Sequence, residues 1–92
     1  QLVGLNERMR YLRYYPGQEF KPHFDGCYIS PKNERSYLTL QLYLNESDGG
    51  ETRFLTHSYD EKYIDVNPKP GQVLVFQHDI LHCGCTVNTG VK

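Results

Sequence analysis

Leu38-Thr39-Leu40-Gln41-Leu42-Tyr43-Leu44 places four leucines at every second position, with Thr39, Gln41 and Tyr43 between them. A period of two sends successive side chains to opposite faces of a strand, so Ser36 to Asn45 predicts a strand with an aliphatic face and a polar face. The expectation is that the leucine side packs into a core and the polar side meets water or a polar cavity. Composition agrees with a β protein: the chain has no alanine and no Trp but eight Tyr, so the best helix former is missing and a good strand former is abundant. Leu, Ile, Val and Phe supply 23 of the 92 residues, enough for a small core. The length allows one domain, with an expected radius of gyration of about 12 Å.

Outward from that strand, Gly and Pro punctuate short extended segments in the rhythm of an all-β sandwich or barrel. Asn6 is a fair N-cap for a short helix, but Tyr11 to Tyr15 favours a strand before Pro16-Gly17. Phe20 to Cys27 predicts a second strand, Tyr28 to Glu34 a loop, Ser47 to Gly50 a turn, and Glu51 to Leu55 a short strand followed by a polar connection from Thr56 to Glu61. Lys69-Pro70-Gly71 is a turn signal before Gln72 to Gln77, whose apolar run Val73-Leu74-Val75-Phe76 predicts a buried strand. His82 to Val87 is extended, Asn88-Thr89-Gly90 a tight turn, and Val91-Lys92 the start of a returning strand. Seven or eight short strands result.

Charge and cysteine content narrow the function classes. A net charge of −1 and no clustered basic face argue against nucleic acid. No apolar run approaches the roughly 20 residues that span a bilayer and no signal-peptide core is present, so no membrane partner is expected. Three cysteines, Cys27, Cys83 and Cys85, are an odd number for a disulfide framework, and reduced thiols are expected. Cys83-x-Cys85 beside His82 admits a zinc reading, although thiolates of structural zinc sites usually stand two to four residues apart. Asp60, Glu61 and Asp65 lack the calcium-loop spacing and read as solvated charge.

One constellation could carry chemistry. His23 and Asp25, two apart in an extended segment, leave the same face with Cα atoms roughly 7 Å apart. An imidazole and a carboxylate joined by a distant His make the donor set of the two-histidine, one-carboxylate triad of non-haem Fe(II). His57, His78 and His82 are the candidates for that distant ligand. His82 is favoured because it begins a strand and is followed by Gly84, whose missing side chain would clear space beside a metal. His57 lies in a polar connection, and His78 stands at helical spacing from His82 with no helix pattern around it. Lys92 follows ten residues after His82. A turn at Asn88 to Gly90 would bring it back opposite Thr86, about 13 Å along the strand from His82, where its ammonium could meet the far end of a small dicarboxylate. Taken singly, each piece has a plain structural reading: a surface histidine, a solvated lysine, a strand face in water. The joint pattern favours the chemical one.

That pattern resembles the Fe(II)- and 2-oxoglutarate-dependent dioxygenases, in particular their prolyl 4-hydroxylase-like branch. The resemblance runs from Arg13-Tyr14-Tyr15-Pro16-Gly17-Gln18 through Pro22-His23-Phe24-Asp25, Leu42-Tyr43-Leu44-Asn45, Gly49-Gly50-Glu51-Thr52 and Pro70-Gly71 to His82, Gly84, Val87, Gly90 and Lys92. It implies a double-stranded β-helix, a jelly roll whose open end holds the metal. It implies His23, Asp25 and His82 as Fe(II) ligands and Lys92 as the cation for the far carboxylate of 2-oxoglutarate. Tyr14 and Thr52 fall at accessory hydrogen-bonding positions, and Tyr43 at a pocket-lining one. Arg35 lies near a peptide-contacting position, across a one-residue gap. The implied reaction consumes 2-oxoglutarate and O₂, releases succinate and CO₂ and hydroxylates a C–H bond of a prolyl or other peptide residue, with ascorbate as a reductant.

Two departures stand out. Cys83 follows the second His where an acidic or small residue is common, and the helices before the first strand and the full last strand after the lysine are missing. With Gln at position 1, these lead to the expectation that residues 1–92 form one catalytic core belonging to a longer domain. The rivals are a non-catalytic jelly-roll module that keeps a metal site, and the zinc reading.

Overall fold

A computed structural model describes residues 4–56 and 62–92. His57, Asp60 and Glu61, and with them most of the Thr56 to Glu61 connection, lie outside the described residues. The remainder forms eight strands: β1 (Phe20–His23), β2 (Leu38–Leu42), β3 (Ser47–Gly49), β4 (Thr52–Leu55), β5 (Tyr63–Val66), β6 (Val73–Gln77), β7 (His82–Gly84) and β8 (Val87–Gly90). No helix occurs among the described residues, so none is long and apolar enough to cross a membrane. All pairings are antiparallel, in a four-stranded sheet of order β1-β7-β4-β5 and two ribbons, β2-β6 and β3-β8. This is the all-β, jelly-roll-like class expected.

The four-stranded sheet and the β2-β6 ribbon meet through side chains from their facing sides. Phe54 of β4 lies edge-on to Phe76 of β6 with ring centroids 5.1 Å apart, and Phe76 lies 4.6 Å from the His82 ring of β7. Edge-to-face pairs of this kind add about 0.5–1.5 kcal/mol beyond area burial. Tyr43, Phe76 and Val87 are the buried hydrophobic residues, and Thr52 and His82 the buried polar ones.

Period and direction separate at the β2 strand. The alternation is present, but its polar members turn inward: Tyr43 is buried and Thr39 and Gln41 are partly so, while Leu40, Leu42 and Leu44 are 50%, 58% and 62% exposed. The paired strand β6 behaves alike, with Leu74 and Phe76 inward and Val73 and Val75 about half exposed, which corrects the fully buried strand. None of the described residues forms a layer on the outer face of this ribbon, and the radius of gyration is 14.0 Å against the expected value of about 12 Å.

Three other expectations change. Ser47 to Gly49 is a strand rather than a turn, because its backbone groups pair with β8; the register slips at Asp48/Gly49, where Gly49 has φ of 74°. Asn88 to Gly90 is correspondingly part of β8 and not a tight turn, so Lys92 does not fold back onto Thr86. The backbone of Lys92 instead exchanges two hydrogen bonds with that of Tyr14, at 2.9 Å each. Tyr11 to Tyr15 is therefore an extended segment pinned at Tyr14 rather than a strand of its own, and no helix follows Asn6 although its Oδ1 accepts from the Arg8 amide.

The unforeseen strand β5 pairs with β4 and brings Asp65 opposite Arg53. On that outer face the Arg53 guanidinium holds Asp65 through two bonds of 2.7 and 2.9 Å and stacks over the Tyr63 ring at 3.8 Å, so Asp65 is paired rather than simply solvated. The pair is part-exposed and adds about 0.2–1 kcal/mol, its main effect being to specify register.

Candidate metal centre

His82 opens β7, the strand between β1 and β4, and lies opposite His23 on one side and Phe54 on the other. Strand β1 carries Pro22, whose missing N–H suits an edge, and its pairing with β7 slips between Phe20 and His23. The predicted strand from Phe20 to Cys27 thus stops at His23, and Asp25 stands in the connection just beyond it. Its carboxylate nevertheless turns back to the imidazoles. Oδ1 of Asp25 is 3.6 Å from Nε2 of His23 and 3.3 Å from Nε2 of His82. One potential ligand atom from each of the three residues lies within 4.8 Å of the others, and no other group of three or more such residues converges among the described residues.

Both imidazoles are oriented by their own strands. Nδ1 of His23 lies 2.6 Å from the Lys21 carbonyl and Nδ1 of His82 lies 2.9 Å from the Ile80 carbonyl. A carbonyl only accepts, so each Nδ1 donates to its carbonyl, and each Nε2 is the ring nitrogen that faces the shared point beside Asp25. Stacking of Phe20 on His23, with centroids 3.9 Å apart, and the edge-on contact of Phe76 with His82 fix the ring planes. The donor set of two neutral imidazoles and one carboxylate fits a non-haem Fe(II) site with open coordination positions.

A second polar group lies toward the opposite ends of the same strands. The Tyr43 hydroxyl and Thr52 Oγ1 are 2.5 Å apart, and both reach Oε1 of Gln41, at 3.3 and 3.4 Å. Burial pushes the Tyr43 hydroxyl above the ordinary tyrosine range, and does the same to Tyr14. Nζ of Lys92 stands 5.5 Å from the Tyr14 ring centroid and 6.0 Å from that of Tyr43, with burial lowering its pKa. Its ammonium makes no direct ion pair with any described acidic side chain, although the Glu51 carboxylate acts on it from a distance and opposes the effect of burial. A part-buried ammonium without a contacting carboxylate is one that an incoming anion would satisfy.

Two glycines lie against this lysine. A Cβ on Gly84 would come 3.4 Å from Phe20 Cβ and 3.6 Å from Nζ of Lys92, ordinary contacts, so the side next to Gly84 faces Phe20 and the lysine head rather than the metal point. A Cβ on Gly50 would meet Val87 Cγ2 at 3.0 Å and Lys92 Cδ at 3.2 Å, and φ there is 73°.

Of the remaining expected residues, Arg35 is exposed, pairs by backbone with Ile29 across the 28–36 loop and makes no ion pair among the described residues. His78 stands outside the triad, with Nδ1 buried and unbonded. Cys27, Cys83 and Cys85 are free thiols. Cys83 lies opposite Arg53 on the outer face, one residue out of phase with His82, so the zinc set of His82, Cys83 and Cys85 does not form. Burial raises the Cys85 thiol to about 11. Thr39 and Gln41 carry no motif of their own, and the sequence signal for their role is the position of both on the polar side of β2.

An antiparallel β fold with two histidines and an aspartate converging between its layers is consistent with an Fe(II) site, and the chain belongs to the 2OG-Fe(II) oxygenase superfamily, whose family model matches residues 9–92. It is similar to a protein of Arabidopsis thaliana described as "Probable prolyl 4-hydroxylase 11", with 36% identity over 73 residues. That alignment takes in 76% of this chain and spans 24% of the relative's length. No solved structure matches the chain.

Proposed function

We propose that residues 1–92 form the catalytic core of an Fe(II)- and 2-oxoglutarate-dependent dioxygenase that hydroxylates a prolyl or other residue of a peptide. The observation that carries the reading is the convergence of His23, Asp25 and His82 within 4.8 Å, with both Nε2 atoms directed at one carboxylate oxygen. His23, Asp25 and His82 would hold the iron. When bound, Fe(II) supplies the redox centre at which 2-oxoglutarate, O₂ and a C–H bond become succinate, CO₂ and an alcohol.

The residues of the chain bind and orient. Lys92 offers its ammonium to the far carboxylate of 2-oxoglutarate, with the hydroxyls of Tyr43 and Thr52, and Tyr14 at its flank, as polar neighbours. Phe54 and Phe76 wall the histidines on the interior side and keep water away from the reacting centre. Peptide chemistry is suggested by the name of the Arabidopsis relative, and Arg35, exposed on its loop, is available to a peptide chain. Ascorbate would serve as the reductant that restores Fe(II).

The test uses the full-length protein with Fe(II), 2-oxoglutarate, ascorbate and poly(L-proline). Succinate formation and a mass gain of one oxygen in the peptide are expected, both lost in Asp25→Ala. A wild-type protein that takes up no Fe(II) and forms no succinate sinks the proposal. Succinate without peptide oxidation sinks only the prolyl assignment.

A further inference from the structure

Thr39 and Gln41 of β2, and Tyr43 just beyond its end, divide their labour. Gln41 and Tyr43 join the hydroxyl cluster near Lys92, whereas Thr39 reaches across to the other layer and donates its hydroxyl proton to Oδ2 of Asp25 at 2.5 Å. That bond leaves Oδ1 as the oxygen directed at both imidazoles. Asp25 itself follows β1 in a segment without a ladder partner, and its backbone makes no hydrogen bond with the described residues. No strand pairing therefore sets its carboxylate, unlike the two histidines, each tethered by a carbonyl two residues before it. Thr39 is the carboxylate's hydrogen-bond partner among the described residues, and its other close polar neighbours are the two Nε2 atoms.

We infer that Thr39 is a positioning residue for the metal centre: it fixes the rotation of the Asp25 carboxylate so that one oxygen faces the metal point and the other is tied to β2. The inference rests on the metal reading above and deepens it. A free carboxylate could rotate or offer both oxygens; one whose second oxygen already accepts a charge-assisted bond presents the other in a defined direction. Because Thr39 pairs with Phe76 across the β2-β6 ribbon, the same rung that packs on His82 also aims Asp25. A polar residue that reads as water-facing becomes the tie between the metal ligands and the second layer.

The test is a Co(II) titration of the full-length protein, followed by visible absorption, which reads affinity and coordination geometry without turnover. Thr39→Val keeps the shape and removes the hydroxyl; it is expected to weaken Co(II) binding about 10-fold or more and to change the band shape. Thr39→Ser keeps the hydroxyl and is expected to restore both. If Thr39→Val does not fold, as judged by circular dichroism, Thr39→Ala takes its place with the same expectation. A hydroxyl-free variant that binds Co(II) with wild-type affinity and spectrum, or a Thr39→Ser variant as impaired as Thr39→Val, overturns the inference. A wild-type protein that binds no Co(II) overturns the metal centre itself, so the two failures are distinguishable.

Discussion

The interior between the layers has two polar ends, and they are built differently. Around His23, Asp25 and His82 every polar group already has a protein partner: a carbonyl holds each Nδ1, Thr39 holds one carboxylate oxygen, and the other carboxylate oxygen faces both Nε2 atoms. Around Lys92 the hydroxyls of Tyr43 and Thr52 bond to each other and to Gln41, but the ammonium makes no direct ion pair among the described residues. Both ends join distant parts of the chain: the first through the pairing of β1 with β7, with a carbonyl tethering each imidazole and one cross-layer bond holding the carboxylate. The second is joined by the pairing of Tyr14 with Lys92, with Gly50 yielding space to the lysine side chain. A metal centre needs fixed donors before its ion arrives, whereas a site for an anion that comes and goes needs an unpaired cation.

The contrast can be broken by substitution at either end. The largest effect is expected from His82→Ala, which removes a ligand and should weaken Co(II) or Fe(II) binding by more than the ~10–100-fold typical of outer partners; a metal titration checks it, and unchanged affinity would place the centre elsewhere. Lys92→Ala is expected to leave metal affinity in place and to weaken 2-oxoglutarate binding by about 10–100-fold, the loss of a charge-assisted contact. Equilibrium binding of 2-oxoglutarate to the metal-loaded protein reads it directly. If Lys92→Ala instead abolishes metal binding, the two ends are not separable.

The pH behaviour of Lys92 sharpens the same contrast. Burial holds its pKa below the ordinary 10.5, so 2-oxoglutarate affinity should fall as pH rises through that lowered value, when the ammonium loses its proton. The stability of the free protein should move the other way over the same window. The unfolded chain keeps the lysine proton to higher pH than the folded one does, so stability rises as pH approaches 10.5. The smallest effect is expected from Tyr43→Phe, which deletes one neutral hydrogen bond worth about 0.5–1.5 kcal/mol and should weaken 2-oxoglutarate binding by about 2–10-fold. A loss as large as that of Lys92→Ala would mean that Tyr43 carries more than a single bond.

Much of the fold was legible because strand propensity and alternation are local. The strands at Leu38–Leu42, Thr52–Leu55 and Val73–Gln77 lie inside segments that the residues themselves announce. Strands β3 and β8 were not legible, since Asp-Gly-Gly and Asn-Thr-Gly carry turn chemistry and become strands only by pairing with each other. The same is true of Lys92. Its closeness to Tyr14 and Tyr43 comes from a pairing at the far end of the chain and not from the hairpin that its local sequence suggests.

The sequence by itself determined the strand period, the two-histidine and carboxylate donor types, and the spacing of His23 and Asp25. These depend on backbone geometry and side-chain chemistry within a few residues. Long-range packing decided which face of β2 turned inward and that Thr39 took hold of the carboxylate, whereas the choice of His82 over His78 was already legible from its place at a strand start before Gly84. Alternation is symmetric: a period of two says that two faces differ and not which one will be covered. That choice belongs to the long-range register of β2 with β6 and of β7 with β1 and β4, which set Thr39, Gln41 and Tyr43 against the site and left the leucines outside.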